Sequence, residues 1–460
     1  MPGPAVDYAY RYRDGSRLDG SEDRILHLAT AGGPAENPRL FLGRVLHPVL
    51  FADALLTVGA VARSRFHVPS AMLARILILA DPVATASQDR LRFEAFSSCA
   101  SVYARLDLLP GFVDGNFIGN GTTNVDLGAD VRAALAGVTD AARLDLELGL
   151  EDLVVDVDGA RHEERRVALP ERWVRGFAET QAILVGMEPR LVADGAAFRR
   201  FLHDLPRRAK HPVFVSVWGG ELAISHRAAE GAVAVADPDR LRVLERLAPA
   251  VRSIRIHASS EGASAWCADL ADAHFTLAIS AEAWRGFSGE GRVLDTLGRG
   301  SGSRVQARVA AALGWRSAIR ADDLAHELGA EPAEVEAALA TLAAAGLVGY
   351  DVAEACYFAR RLPFAGEADD RRQPRLRRAR AMVEAKAVRL ESTPGEGGDA
   401  IAWVGGRSAE YRVRIGPGGR ACTCPWWGKH PGDRGPCSHI VAVELAMAAA
   451  GDPVERRDDA

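Results

Sequence analysis

The spacing of hydrophobic positions changes at about residue 288. Before that point, short β-rich runs such as Val213–Trp218 are interspersed with segments of helical spacing such as 196–205. No regular strand–helix–strand rhythm connects them. The pattern predicts an α+β fold class in a multidomain chain, with residues 1–288 as an N-terminal α+β region of unknown function.

Residues 289–364 show a different pattern. Three segments of helical spacing are followed by two strand-like runs, in the order 304–313, 321–328, 332–345, 347–350 and 356–359. The third helix begins with Pro332 and is followed by Gly346, the usual asymmetry of helix ends. Helix, helix, helix and β-ribbon resembles a winged helix-turn-helix domain.

The C-terminal part is predicted to consist of three pieces. Residues 365–392 form a charged linker and a basic helix over 375–389, residues 393–450 a small ββα-like module, and residues 451–460 a disordered tail. Within the module, Tyr411, Val413 and Ile415 alternate with Arg412 and Arg414, which predicts a strand with one wet face. A glycine-rich turn, a third short strand and a helix over 438–449 follow.

A set of metal-ligand residues lies inside this module. Cys422 and Cys424 are separated by one residue, and after twelve intervening residues comes the pair Cys437 and His439. On a strand, residues i and i+2 point to the same face, so the two cysteines of the first pair can converge on one ion. Three thiolates and one imidazole complete a tetrahedral zinc shell with no open position, which predicts one structural Zn²⁺. His430 is an alternative to His439 as the fourth ligand.

The pattern C-x-C followed by C-x-H resembles the SWIM zinc-finger family over the last 50 to 60 residues. The resemblance implies binding of DNA or of proteins and does not decide between them. Among bacterial relatives, such chains look like accessory components that work with ATPase partners.

The composition limits the class of protein. The chain has 460 residues, a formal net charge of −5 and only six cysteines, so neither a strongly basic nucleic-acid coat nor a disulfide scaffold is indicated. The N-terminus lacks the apolar core of a secretory signal, and the longest apolar stretch, 48–62, is too short to span a bilayer. A bacterial, cytoplasmic protein without a membrane partner is expected.

Basic and aromatic side chains near the cysteines are candidates for contact with a nucleic acid or protein partner. They are Arg375, Arg377, Arg378, Arg380, Arg412, Arg414, Trp426, Trp427 and Lys429. An alternative is a solvated helix whose arginine stems cover apolar surface. The candidate recognition helix, 332–345, carries Glu334 and Glu336 and no Lys or Arg, which argues against base readout by that helix.

No catalytic motif stands out. The glycine-rich segment 119–126 lacks the lysine of a phosphate loop, and patterns such as H-E-x-x-H and G-x-S-x-G are missing. No small-molecule substrate is evident. We therefore expect a zinc-dependent, non-enzymatic binding protein. The alternatives are a docking scaffold or accessory subunit for an ATPase-containing complex without DNA contact, and an enzyme with an unrecognised active site in residues 1–288.

Overall fold

The computed structural model describes most of the chain as two compact units. The described residues are 17–19, 23–28, 39–66, 82–124, 127–149, 153–154, 156–157, 160–161, 171–207, 209, 211–287, 291, 293–294, 304–362, 374–392, 398–406, 409–432 and 434–451. The first unit comprises Met1–Ser288, Leu313–Arg320 and Leu347–Ala365, and the second comprises Gly289–Ala312, Ala321–Gly346 and Gly366–Ala460.

The first unit is rich in strands. Its strands are β1 (Arg17–Asp19), β2 (Asp23–Leu28), β3 (Arg39–Val45), β4 (Val83–Ala86), β5 (Leu91–Phe96), β6 (Val102–Leu108), β7 (Val113–Phe117), β8 (Gly121–Asn124), β9 (Arg143–Gly149), β10 (Leu153–Val154), β11 (Asp156–Val157), β12 (Ala160–Arg161), β13 (Glu188–Asp194), β14 (Val213–Trp218), β15 (Glu221–Ser225), β16 (Val233–Val235), β17 (Ser253–Ala258), β18 (Ser264–Asp269), β19 (Ala273–Ile279), β20 (Val348–Asp351) and β21 (Cys356–Ala359). Its helices are α1 (Pro48–Arg63), α2 (Ala129–Ala136), α3 (Glu171–Val185) and α4 (Gly195–Asp204), with 3₁₀ segments at Pro238–Leu244 and Ala248–Ala250.

Two sheets form the body of the first unit. An antiparallel eight-stranded sheet has the order β13-β17-β18-β19-β6-β5-β4-β8, and a second sheet has the order β1-β2-β9-β3-β7 with β10 on β2. In the second sheet, β2 and β9 run parallel, as in the pair Asp23 and Arg143. A three-stranded sheet, β15-β14-β16, stands apart from both. The described part of this unit is thus mixed α and β, without a repeated parallel crossover.

The longest apolar stretch of the sequence is helix α1. Pro48 occupies its first turn, where the missing N–H costs nothing, and Phe51, Leu55 and Val58 are completely buried. The helix packs against β5 and β6. Trp173 and Phe177 of α3, at helical spacing i and i+4, are also buried and contact Phe96. None of the helices in the described ranges combines the length and the apolar character that crossing a bilayer requires.

The hairpin β20–β21 belongs to the first unit through a buried network of charges. Arg105 donates to the carbonyl oxygen of Tyr350 at 2.8 Å and pairs with Asp351 at 2.7 Å. Arg360, just after the hairpin, pairs with Glu94 of β5. All four charged side chains are at most 1% exposed, so each charge depends on its partner.

Three helices of the second unit precede the hairpin in sequence: α5 (Arg304–Ala312), α6 (Ala321–Leu328) and α7 (Pro332–Ala344). They pack on one another, with Val309, Leu324 and Leu339 buried. The predicted winged-helix-like domain, 289–364, is therefore divided, because its helices and its β-ribbon fall in different compact units. The winged-helix interpretation stays a prediction.

The C-terminal part of the second unit is a small module of one sheet and three helices. Its elements are α8 (Pro374–Glu384), β22 (Val388–Ser392), β23 (Ala400–Gly405), β24 (Glu410–Gly416), β25 (Gly419–Cys422), α9 (Pro425–Lys429) and α10 (Ser438–Gly451). The strands form an antiparallel sheet in chain order, α10 covers one face of it, and α8 packs against α10.

Two boundaries differ from the sequence prediction. The basic helix predicted over 375–389 ends at Glu384, and Lys386 adopts a left-handed φ of 53° that the helix cannot continue through. The following residues form β22, so the sheet begins before residue 393. Val388 and Leu390 of β22 pack against the module's core, which explains why this segment is strand rather than helix. The tail 452–460 and the linker 363–373 lie outside the described residues.

Candidate metal centre

The four predicted ligands meet at one end of the module. Cys422 ends β25, Cys424 is the N-cap of α9, and Cys437 and His439 lie immediately before and within the first turn of α10. Their ligand atoms all lie within 4.8 Å of one another, and Cys422 Sγ is 3.8 Å from His439 Nδ1. A tetrahedron with Zn–S near 2.3 Å and Zn–N near 2.0–2.1 Å has edges of about 3.5–3.8 Å. The donor set therefore fits a single zinc ion.

His430, the alternative fourth ligand, is not part of this cluster. Its ring packs against Trp426 instead, with the ring centroids 5.1 Å apart. His439 is held on the other side by Tyr411, whose ring centroid lies 4.6 Å from the imidazole. Because Tyr411 lies two residues before Val413 on β24, the strand and the first turn of α10 together orient the imidazole.

The hydrogen bond between Cys422 and Cys437 shifts the pKa values of the two thiols in opposite directions. A hydrogen bond from the Cys422 thiol lowers the pKa of Cys437 to about 4, against the effect of burial, and His439 and the Ile440 backbone act in the same direction. The same bond, together with burial, raises the pKa of Cys422. Cys424 Sγ accepts the backbone N–H of Trp427 at 3.4 Å. The arrangement thus already favours one thiolate, the form that binds zinc.

The core around the ligands is thin. Its buried members are Ala402, Val404, Val413, Cys422, Cys424, Cys437, Ile440 and Val443. Trp426 and Trp427 are half-buried and pack against this cluster. Both tryptophans therefore serve as cover for the cysteines, and their apolar surface is used within the module.

The predicted contact residues on α8 have three different environments. Arg377 and Arg378 are exposed, Arg380 is half-buried, and Arg375 donates to two backbone carbonyls of the loop before Cys437. Lys429, at the end of α9, is exposed. Arg377, Arg378 and Lys429 thus present their charges to solvent.

The predicted contact residues on β24 lie on the other face of the sheet. Val413 points into the core under α10, so its neighbours Arg412 and Arg414 point away from it. Arg412 is exposed, and Arg414 pairs with Asp399 at 2.9 Å. The candidates therefore do not form one continuous surface.

Sequence reasoning missed Trp403, which stands on this outer face. In the register of the sheet, Trp403 lies directly between Arg389 of β22 and Arg412 of β24. The signal was present in the sequence, because Ala400, Ala402 and Val404 alternate with residues of the opposite face.

The comparisons with known proteins identify the class of this site. The model of the SWIM zinc finger family matches residues 411–448, which include all four ligands. The C-terminal module is therefore a zinc finger. Within that class it is a SWIM zinc finger, with Cys422, Cys424, Cys437 and His439 as a site for one zinc ion.

Solved structures resemble about half of the chain at low sequence identity. No curated protein matched the sequence. Proliferating cellular nuclear antigen from Entamoeba histolytica matches 53% of this chain and 98% of its own length, with 8% identity and a TM-score of 0.34. The PCNA2–PCNA3 complex from Sulfolobus tokodaii matches 53% and 99%, with 10% identity and a TM-score of 0.33. A. fulgidus PCNA bound to the C-terminal region of FEN-1 matches 52% and 97%, with 11% identity and a TM-score of 0.33. None of these comparisons supports the predicted winged helix.

Proposed function

We propose that the SWIM module binds DNA through a basic surface formed by Arg377 and Arg378 of α8 and Lys429 of α9, and that the role of the chain is non-enzymatic. The observation that carries the proposal is that these three cations are exposed and, within the described residues, none of them pairs with an acid. Unpaired guanidinium and ammonium groups are available to phosphate, and each phosphate contact releases a counterion.

Zinc supports this surface indirectly. Lys429 ends the short helix that Cys424 caps, and α8 packs against α10, which carries His439. Loss of the metal therefore removes the framework that positions the helices carrying the three cations. A chelator should abolish DNA binding even though no contact residue changes.

An electrophoretic shift of the full chain with duplex and single-stranded DNA, with and without chelator, tests the proposal. We expect a shift that weakens steeply with added salt and disappears with chelator. A shift that persists after zinc removal, or no shift with either DNA at low salt, would exclude this mode of binding.

A second candidate function is protein docking through the outer face of the sheet. This face carries Trp403 among three arginines and three acids that balance one another: Arg389, Arg412, Arg414, Glu391, Glu410 and Asp399. A neutral, mixed patch around an aromatic side chain suits a protein partner better than phosphate. An accessory role beside an ATPase, which the SWIM resemblance suggests, would use this face.

Pull-down of partners at high salt after nuclease treatment separates the two functions. Docking predicts capture that survives both treatments and is lost in Trp403→Ala but not in Arg377→Ala. DNA binding predicts the reverse sensitivity to the two substitutions.

A further inference from the structure

Between α9 and Cys437, the described residues 430–432 and 434–436 form neither helix nor strand. After α9 ends at Lys429, the chain reaches Cys437 through two glycines of positive φ, Gly432 at 89° and Gly435 at 67°. Glycine adopts a wide range of φ and ψ values, so the local sequence alone does not fix the backbone path of this segment. Yet Cys437 must be placed within a few tenths of an ångström to complete the zinc shell.

Arg375 supplies contacts that this loop lacks. Its Nη1 donates to the carbonyl oxygen of Arg434 at 2.5 Å and to that of Pro436 at 2.8 Å. Pro436 immediately precedes the ligand Cys437. The guanidinium carbon also lies 4.9 Å from the centroid of the Trp426 ring, on the cover of the cysteine cluster. One side chain from α8 therefore holds both ends of the loop.

Gly291, which lies outside the finger, also contacts the backbone at Gly435. A Cβ on Gly435 would clash with the carbonyl oxygen of Gly291, and a Cβ on Gly291 would clash with Arg375 Nη2 and the carbonyl oxygen of Arg434. Gly291 has a φ of 80°, so any side chain there would also be strained. Arg375 and Gly291, which adjoin each other, thus both hold the backbone just before Cys437, and both lie before 411, the first residue that the family model matches.

We propose that Arg375 is a positioning residue of the zinc site, which holds the loop that presents Cys437 to the metal. It acts on the backbone of the ligand loop and does not touch DNA, so it departs from the role that its charge suggested. Outer-shell partners of metal ligands commonly contribute 10–100-fold to metal affinity. Arg375 makes both hydrogen bonds from one nitrogen while its guanidinium lies beside the Trp426 ring; a Lys ammonium can donate to two acceptors but lacks the planar group that stacks on a ring.

Zinc competition on the full chain against a chromophoric chelator tests the proposal. We expect Arg375→Ala to weaken zinc affinity by about 10–100-fold and Arg375→Lys to weaken it by a smaller factor. Arg377→Ala is the matched control, because it removes the same charge from an exposed position on the same helix and should leave zinc affinity unchanged. In excess zinc, Arg375→Ala should regain one metal ion per chain.

Cobalt substitution adds a readout of ligand geometry. We expect the visible bands of the Co²⁺ form to shift in Arg375→Ala and to match the wild type in Arg377→Ala. If Arg375→Ala does not fold, zinc affinity and the Co²⁺ bands are measured on Arg375→Lys and Gly291→Ala instead. Zinc affinity and Co²⁺ bands that equal those of Arg377→Ala would overturn the proposal, as would a loss of metal that excess zinc does not restore.

Discussion

The sheet body of the first unit and the zinc module are stabilised by different means. The body has one continuous core that includes large side chains such as Trp173, Trp266 and Phe96, whereas the cluster around the zinc ligands has, among the described residues, eight buried members, of which three are ligands. Burial of apolar surface is enough to stabilise the sheet body. The zinc module, whose core is small, needs the metal as well.

Arginine shows the same contrast. In the body, Arg92, Arg105 and Arg360 are fully buried and paired with acids. In the module, Arg377 and Arg378 are exposed. A count of basic residues therefore predicts a nucleic-acid-binding surface only where the fold leaves those side chains exposed to solvent.

Removal of zinc should produce the largest difference between the two regions. Structural zinc contributes about 10–16 kcal/mol of apparent binding energy at neutral pH, so chelation or Cys424→Ser should unfold the module. Hydrogen exchange read by mass spectrometry should show lost protection over 398–451 and unchanged protection in β5, β6 and β19. Retained protection of α10 without metal would contradict this.

The next largest effect should follow from breaking the buried charge network. Asp351→Ala leaves Arg105 without its partner on the hairpin, which typically costs about 3–5 kcal/mol. Urea denaturation of the first unit, followed by a probe in that unit, measures the loss. Glu221→Ala is the control, because its pair with Arg200 is exposed and should contribute little to stability. Equal losses in the two variants would show that burial does not distinguish them.

The same network predicts an acid dependence of stability. Burial raises the pKa of Asp351, but Arg105 and Arg92 outweigh it and lower the pKa to about 2. Since the folded-state pKa lies below the ordinary value of about 3.9, the carboxylate stabilises the fold above that value and loses its contribution as the pH falls toward 2. Urea midpoints between pH 5 and 2 should fall more steeply in the wild type than in Asp351→Asn. Parallel curves would contradict the assignment.

The smallest expected effect concerns the exposed arginines. Arg377→Ala and Arg378→Ala should each reduce the slope of log affinity for DNA against log salt by about 1, with no change in zinc content. Arg412→Ala, on the opposite face of the sheet, is the control and should leave the slope unchanged. A slope that falls equally in all three variants would place the DNA surface elsewhere.

The zinc ligands could be predicted from sequence because their geometry is local. Cys422 ends β25 and Cys424 caps α9 two residues later, and His439 follows Cys437 at a helix start, so short spacing brings the members of each pair together. The wet and dry faces of β24 were predictable for the same reason.

The tertiary features could not be predicted in this way. Arg375 reaches a loop about sixty residues further along the chain, and the hairpin β20–β21 joins a sheet whose strands lie far from it in sequence. Neither contact leaves a periodic signal. The end of α8 was missed because the packing of Val388 and Leu390 overrides local helix preference.

The metal content of the purified full chain, measured by elemental analysis together with native mass spectrometry, tests most directly whether the four residues hold a zinc ion. We expect one zinc per chain in the wild type and none in the double variant Cys424→Ser, Cys437→Ser. A wild-type chain without bound metal, or a double variant that retains a full equivalent of zinc, would contradict this expectation.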